Sequence, residues 1–219
     1  MNIFPHIKGC IIDYDVITVG HLKWNRYFNE SPDDPPRGDP STCTSTLITG
    51  RDWSGKNFRL IIDPTLKAKA TDYYFDVNRR TGLHPDDVTH CFVTHEHFDH
   101  YFGLSYFPNA LWCAAGPVAE LLKTAAGIDG SRVVGVADEF LPGVAALPLP
   151  GHTVSLHGVA FIWNGKRIIV AGDGVMTKHH YQYNTTVFEQ DARLAGVSIV
   201  NIKESAAIVI PGHDNLIIN

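Results

Sequence analysis

Four times along this chain an apolar run breaks off in a turn that carries metal-capable side chains. CFVTHEHFDH ends at His100, ALPLPGHT holds His152, RIIVAGDG holds Asp173 and AIVIPGHD holds His213. Reactive groups are commonly carried on loops held at strand ends by a rigid scaffold, and glycine lets each such turn bend sharply and approach a site closely. The first run is the densest, with three histidines, a glutamate and an aspartate in the six positions from His95 to His100. In extended backbone, residues two apart point to the same face, so His95 and His97 can reach one ion. Asp99 and His100 follow as the chain turns and could face a second ion beside the first. Neutral imidazole and carboxylate suit Zn²⁺, and also Fe or Mn. Taken singly, a Gly-His or Gly-Asp is more often a plain turn; the four in this order form a specific combination.

The stretches between these turns set the expected elements. CIIDYDVITVG, TSTLITG, NFRLIIDP, DDVTHCFVTHEH, RVVGVA, VAALPLP, SLHGVAFIW, KRIIVAGD and AAIVIPGHD read as strands. TLKAKATDYYFDVNRRTG reads as a helix from about Thr65 to a stop at Gly82, GPVAELLKTAAG as a short helix opened by Pro117, and VFEQDARLAGVSIVNI as the last long helix. Strands dominate each half and each half contains helices, which suits two sheets packed face to face with helices outside. Residues 29–42, NESPDDPPRGDPST, form a Pro/Asp-rich loop by composition. Such a loop could overhang the strand ends.

Composition narrows the function classes. At 219 residues the chain suits one domain spanning 1–219. A formal charge of −5 with no basic run disfavours nucleic acid as a partner and favours a small molecule. No secretory signal or membrane span is read, and the widely spaced Cys10, Cys43, Cys91 and Cys113 read as free thiols, so a cytoplasmic protein is expected. Nothing in the sequence decides for or against a homo-oligomer.

The motifs THEHFDH (Thr94 to His100), PGHT (Pro150 to Thr153), AGD (Ala171 to Asp173) and PGH (Pro211 to His213), with LIIDP before them, resemble the metallo-β-lactamase-fold superfamily. The resemblance runs from about Thr44 onward and implies an αββα sandwich of two mixed β-sheets flanked by helices, with two divalent metal ions, zinc first, at one edge. It implies His95, His97 and His152 on the first ion, Asp99, His100 and His213 on the second, and Asp173 between them. Asp99 would orient the nucleophile and take up its proton, making it the catalytic residue, and Asp63 would buttress a histidine or the cluster loop. Glu96 is expected to face away from the ions in a supporting role. In VMTKHHYQYN, His179, Tyr181 and Tyr183 are candidate substrate contacts, a tyrosine donating to a developing oxyanion.

Within that superfamily, the presence of Asp173 argues against antibiotic hydrolysis, His97 against flavodiiron proteins, and the short span from Asp173 to His213 against nucleases with a large inserted domain. The leading expectation is a hydrolase of a carboxyl ester, thioester or lactone, although Val154-Ser155 breaks the Pro-Gly usual after PGHT. The alternatives are a phosphodiesterase or small RNase, because THEHFDHYFGLSYFPNA is similar to the metallo-β-lactamase domain-containing protein 1 group; a one-iron persulfide dioxygenase; and an idle metal-binding module.

Overall fold

The computed structural model describes residues 2–7, 11–22, 42–67, 69–187 and 189–219. Of the Pro/Asp-rich stretch, 29–41 lie outside the described residues. The strands sort into two mixed sheets. The first holds β1 (Ile11–Thr18), β2 (Ser45–Arg51), β3 (Asn57–Ile62), β4 (His90–Val93), β5 (Leu111–Ala115) and β6 (Val134–Val136) in sequence order. The second holds β7 (Glu139–Leu141), β8 (Val144–Pro148), β9 (His157–Trp163), β10 (Lys166–Gly172), β11 (Ile208–Pro211) and β12 (Ile217–Ile218), also in order.

Side-chain alternation explains the layers. In β3, Leu60 and Ile62 point between the sheets while Ile61 points outward. Ile168 and Val170 of β10 do the same, with Ile169 and Ala171 outward, and β11 repeats the pattern with Ile208 and Ile210 inward and Val209 outward. These strands are therefore apolar on both faces, as strands covered on both sides must be. The outer face of the first sheet is covered by α1 (Ala70–Thr81) and α3 (Gly116–Leu122) through Tyr73, Val77, Val118 and Leu122. The outer face of the second is covered by α5 (Ala192–Ser205) through Ala195, Ile199 and Ile202. The result is the αββα sandwich expected from the sequence.

Topology then places the metal-capable turns together. β3 and β4 are parallel, as are β10 and β11, so in each sheet a pair of neighbouring strands ends on the same edge. The two sheets are stitched at that edge: His157 N donates to Thr94 O at 3.0 Å, and Thr44 Oγ1 donates to Asp214 O at 2.9 Å.

Three sequence expectations need correction. Helix α1 starts at Ala70, not Thr65, because the preceding backbone is used elsewhere: Leu66 N donates to Asp99 O and Pro64 O accepts from Gly103 N. Its stop is as read, with Gly82 in the left-handed conformation at φ 71° and its N–H on Asn78 O. Strand β4 ends at Val93, so His95 and His97 sit in a bend beyond it, yet their rings still lie 4.6 Å apart. Helix α5 begins at Ala192, capped by Asp191, which accepts from Leu194 N at 2.9 Å, because Gln190 is committed to the PGHT turn. Strands β5, β7 and β12 and the short helices α2 (Phe98–Tyr101) and α4 (Lys178–Tyr183) were not read from the sequence.

Candidate metal centre

Asp173 follows β10 directly, and its carboxylate is 2% exposed. Oδ2 lies 3.2 Å from His152 Nε2 and 3.9 Å from His95 Nε2. Oδ1 lies 3.2 Å from both His100 Nε2 and His213 Nε2. His97 Nδ1 is 2.9 Å from His152 Nε2, and Asp99 Oδ2 is 3.6 Å from His213 Nε2. The donors form two groups, His95/His97/His152/Asp173 and Asp99/His100/His213, with the donor atoms of each within 4.8 Å of one another. The Asp173 carboxylate stands between them, one oxygen toward each.

Each turn has a local reason to hold its side chain there. A Cβ at Gly212 would sit 2.0 Å from Asp173 Oδ1, so only glycine lets the His213 turn close on the carboxylate. Gly151 has φ 144°, and a Cβ there would meet Ala195 Cα at 2.3 Å, so glycine also seats the His152 turn on α5. Gln190 reinforces that seat, its N–H pointing to Gly151 O and His152 O and its Oε1 accepting from Val154 N.

Proton bookkeeping gives the tautomers. Asp63 Oδ2 accepts from His100 Nδ1 at 2.9 Å and from Thr94 Oγ1 at 2.8 Å, and Oδ1 accepts from Thr94 N at 2.8 Å. Because the Thr94 hydroxyl spends its proton on Asp63, it must accept from His95 Nδ1 at 3.1 Å. His213 Nδ1 donates to Thr42 O at 3.0 Å. In His95, His100 and His213 the Nδ1 position is thus occupied and Nε2 is turned to the cluster, the arrangement that fixes imidazoles as metal ligands. His95 Nε2, His100 Nε2 and Asp173 Oδ1 are buried without a hydrogen bond. Buried polar atoms left so are costly, and their presence in both donor groups fits divalent cations.

The sequence pattern of the Metallo-beta-lactamase superfamily matches residues 38–213. The chain belongs to that superfamily. An N-acyl homoserine lactonase of a Bacillus species is 30% identical over 162 residues, which span 68% of this chain and 64% of the lactonase. Among solved structures, a provisionally assigned metallo-beta-lactamase of Thermotoga maritima superposes with a TM-score of 0.69 at 18% identity, covering 94% of this chain and 99% of that one. An N-acyl homoserine lactone hydrolase, with N-hexanoyl-L-homoserine at its catalytic metal centre, superposes with a TM-score of 0.65 at 16% identity, covering 95% of this chain and 94% of that one. At these identities the structural likenesses establish the fold.

Electrostatics separates the two sides of this superfamily member's centre. Burial alone would raise the Asp173 pKa, but His213, His100 and His152 hold it well below the usual carboxylate range. Burial dominates at His95 and His152 and pushes both down, which favours the neutral rings. At His100 burial is outweighed by the carboxylates of Asp173, Asp63 and Asp99, and the pKa is held well above the histidine range. Asp173 and Asp99 likewise raise His213 against burial.

The α4 candidates fare differently. Tyr181 does not serve as expected: it is buried beneath α5, its hydroxyl donates to Asn219 Oδ1 at 2.5 Å, and Lys203 Nζ lies over its ring. Tyr183 is exposed and its ring packs on His179 at 4.7 Å. The sequence reading missed Thr94 as a relay between His95 and Asp63, although it lies inside the quoted motif. It also missed the Thr42 carbonyl behind His213, for which a backbone oxygen leaves no signal. Cys43 Sγ, donating to Asp99 O at 3.1 Å, is a third such support.

Proposed function

We propose that this cluster holds two divalent metal ions, zinc by donor chemistry, and that the protein opens lactone rings by hydrolysis. The observation that carries the reading is the division of the Asp173 oxygens between two sets of imidazoles. His95, His97 and His152 would hold one ion, Asp99, His100 and His213 the other, and Asp173 both. Nitrogen and carboxylate donors of this kind accept zinc, iron and manganese. Two such ions would supply an acidified water and an electrophilic pull on a carbonyl oxygen.

The chain's own residues do the rest. Asp63, Thr94 and the Thr42 carbonyl lock the rings that surround the reacting atoms. Asp99 is half-buried, so its carboxylate can reach substrate while Cys43 and Leu66 hold its backbone. It takes the proton lost as water adds to the ring carbonyl and returns it to the ring oxygen as the C–O bond breaks, leaving a hydroxy acid. Phe98 and Val154, next in sequence to His97 and Thr153, are 44% and 66% exposed and suit an uncharged, partly apolar substrate. The lactonase relative supports the lactone over other carboxyl compounds.

The test is parallel turnover on zinc- and manganese-loaded protein, with lactones, esters and thioesters in one arm and an activated phosphodiester and short RNA in the other. Acid release from lactones is the expected result. Turnover confined to the phosphodiester arm would overturn the reading.

The pKa shifts add a pH prediction. His100 and His213, raised in the metal-free fold, are favoured in their protonated forms. That contribution to stability is complete below the ordinary histidine pKa and is lost as pH rises through the raised values. A metal must displace those protons, so uptake on the His100/His213 side strengthens with rising pH and releases protons. At His95 and His152 burial favours the neutral form, so their side is expected to release fewer. Calorimetry of metal uptake in buffers of different ionisation heat is expected to resolve an unequal release. Equal release by both sides would contradict the assignment.

A further inference from the structure

The two loops that carry His95/His97 and His152 meet twice. On one side are the facing His97 and His152 nitrogens, 2.9 Å apart. The other meeting involves none of the metal donors. Glu96 Oε2 lies 2.7 Å from Ser155 Oγ and 3.3 Å from Thr153 Oγ1, and the two hydroxyls are 3.0 Å from each other. Each hydroxyl has one proton, so not all three contacts can be full hydrogen bonds. The distances favour Thr153 donating to Ser155 and Ser155 donating to Glu96. Thr153 and Ser155 are buried and Glu96 is half-buried, so water competes little for the two hydroxyls.

We propose that Glu96, Ser155 and Thr153 form a positioning clasp that sets the spacing of the His95, His97 and His152 donors, and thereby the metal affinity of that side of the centre. The inference rests on the binuclear reading given above. Its physical basis is that Glu96 is covalently flanked by two of the three imidazoles, and Thr153 is covalently next to the third. Fixing Ser155 on Glu96 therefore fixes the separation of all three rings before any ion arrives. The His100/His213 side is held by Asp63, which also reaches His95 through Thr94, and by the Thr42 carbonyl, and the clasp touches none of these.

The experiment is a cobalt titration of the full chain, followed by the shifted imidazole proton resonances that distinguish the two sides. Circular dichroism verifies each fold. Glu96→Ala and Ser155→Ala are each expected to weaken uptake at the His95/His97/His152 side about 10–100-fold, the usual cost of losing an outer partner of metal ligands. Uptake by Asp99/His100/His213 is expected to stay at its wild-type value. The double variant should be no weaker than Glu96→Ala, since both substitutions remove one interaction. Glu96→Gln keeps an oxygen acceptor and should recover most of the affinity. Ser155→Ala, a one-atom deletion, carries the test should Glu96→Ala fail to fold. Unchanged affinity in the alanine variants, or Glu96→Gln falling as far as Glu96→Ala, would overturn the clasp. A wild-type chain that takes up no cobalt would overturn the binuclear reading along with it.

Discussion

Asp173→Ala is expected to yield a protein that takes up at most one ion in place of two and turns over about 10³-fold more slowly, the scale of losing a preorganised electrostatic partner. Four imidazole nitrogens, two from each donor group, lie 3.2–3.9 Å from its oxygens. Without the carboxylate, His100 and His213 lose a main cause of their raised pKa. They can shed their protons, so the fold should survive better than a buried unpaired charge would allow. Asp173→Asn separates charge from shape. The amide fills the same space but offers one oxygen, and it should be nearly as deficient as the alanine variant. Metal content of purified protein by elemental analysis, beside kcat/KM on a lactone, measures both effects. Two ions retained in either variant would show that the carboxylate does not join the two sides.

Asp99→Ala should lower kcat by about 10²–10⁴-fold, the range for a lost general acid–base, while thermal unfolding stays close to wild type. The backbone at Asp99 is held through its carbonyl, which accepts from Cys43 Sγ and Leu66 N, so the loop does not depend on the carboxylate. Its Oδ2 stands 3.6 Å from His213 Nε2, at the edge of the cluster and not at its centre. The variant should therefore keep uptake at the His95/His97/His152 side and lose turnover. Steady-state kinetics at saturating metal separates the two roles: a loss in kcat that excess metal does not restore marks the proton-transfer role. Full activity in Asp99→Ala would remove Asp99 from the mechanism.

Much of this centre was legible because its donors lie in turns that end apolar strands, and those turns carry their own signature of Gly and Pro. The expectation that His95, His97, Asp99, His100, His152, Asp173 and His213 act together rested on that pattern, and the fold brings all seven within one cluster. What the sequence could not convey were long-range partners. The Thr42 carbonyl behind His213 is 171 residues away in sequence, and backbone oxygens have no residue identity to read. Glu96 was read as facing away from the ions, but its partners Thr153 and Ser155 emerge only when the two sheets are docked. Val154-Ser155 looked like a mere departure from Pro-Gly, and the structure gives Ser155 a half-buried carboxylate to hold. Tyr181 failed for the opposite reason: a short helix after the Asp173 turn rotates it under α5, where its hydroxyl meets Asn219. The early start assigned to α1 failed because Pro64 and Leu66 bond to the loop that carries the donors, a tertiary demand that outweighs helix propensity.

The most direct measurement is anomalous diffraction from a crystal of the zinc-loaded protein. The account predicts two anomalous peaks about 3.5–4 Å apart, the spacing of paired catalytic metals, with one Asp173 oxygen toward each. A single peak, or two peaks without Asp173 between them, would contradict it.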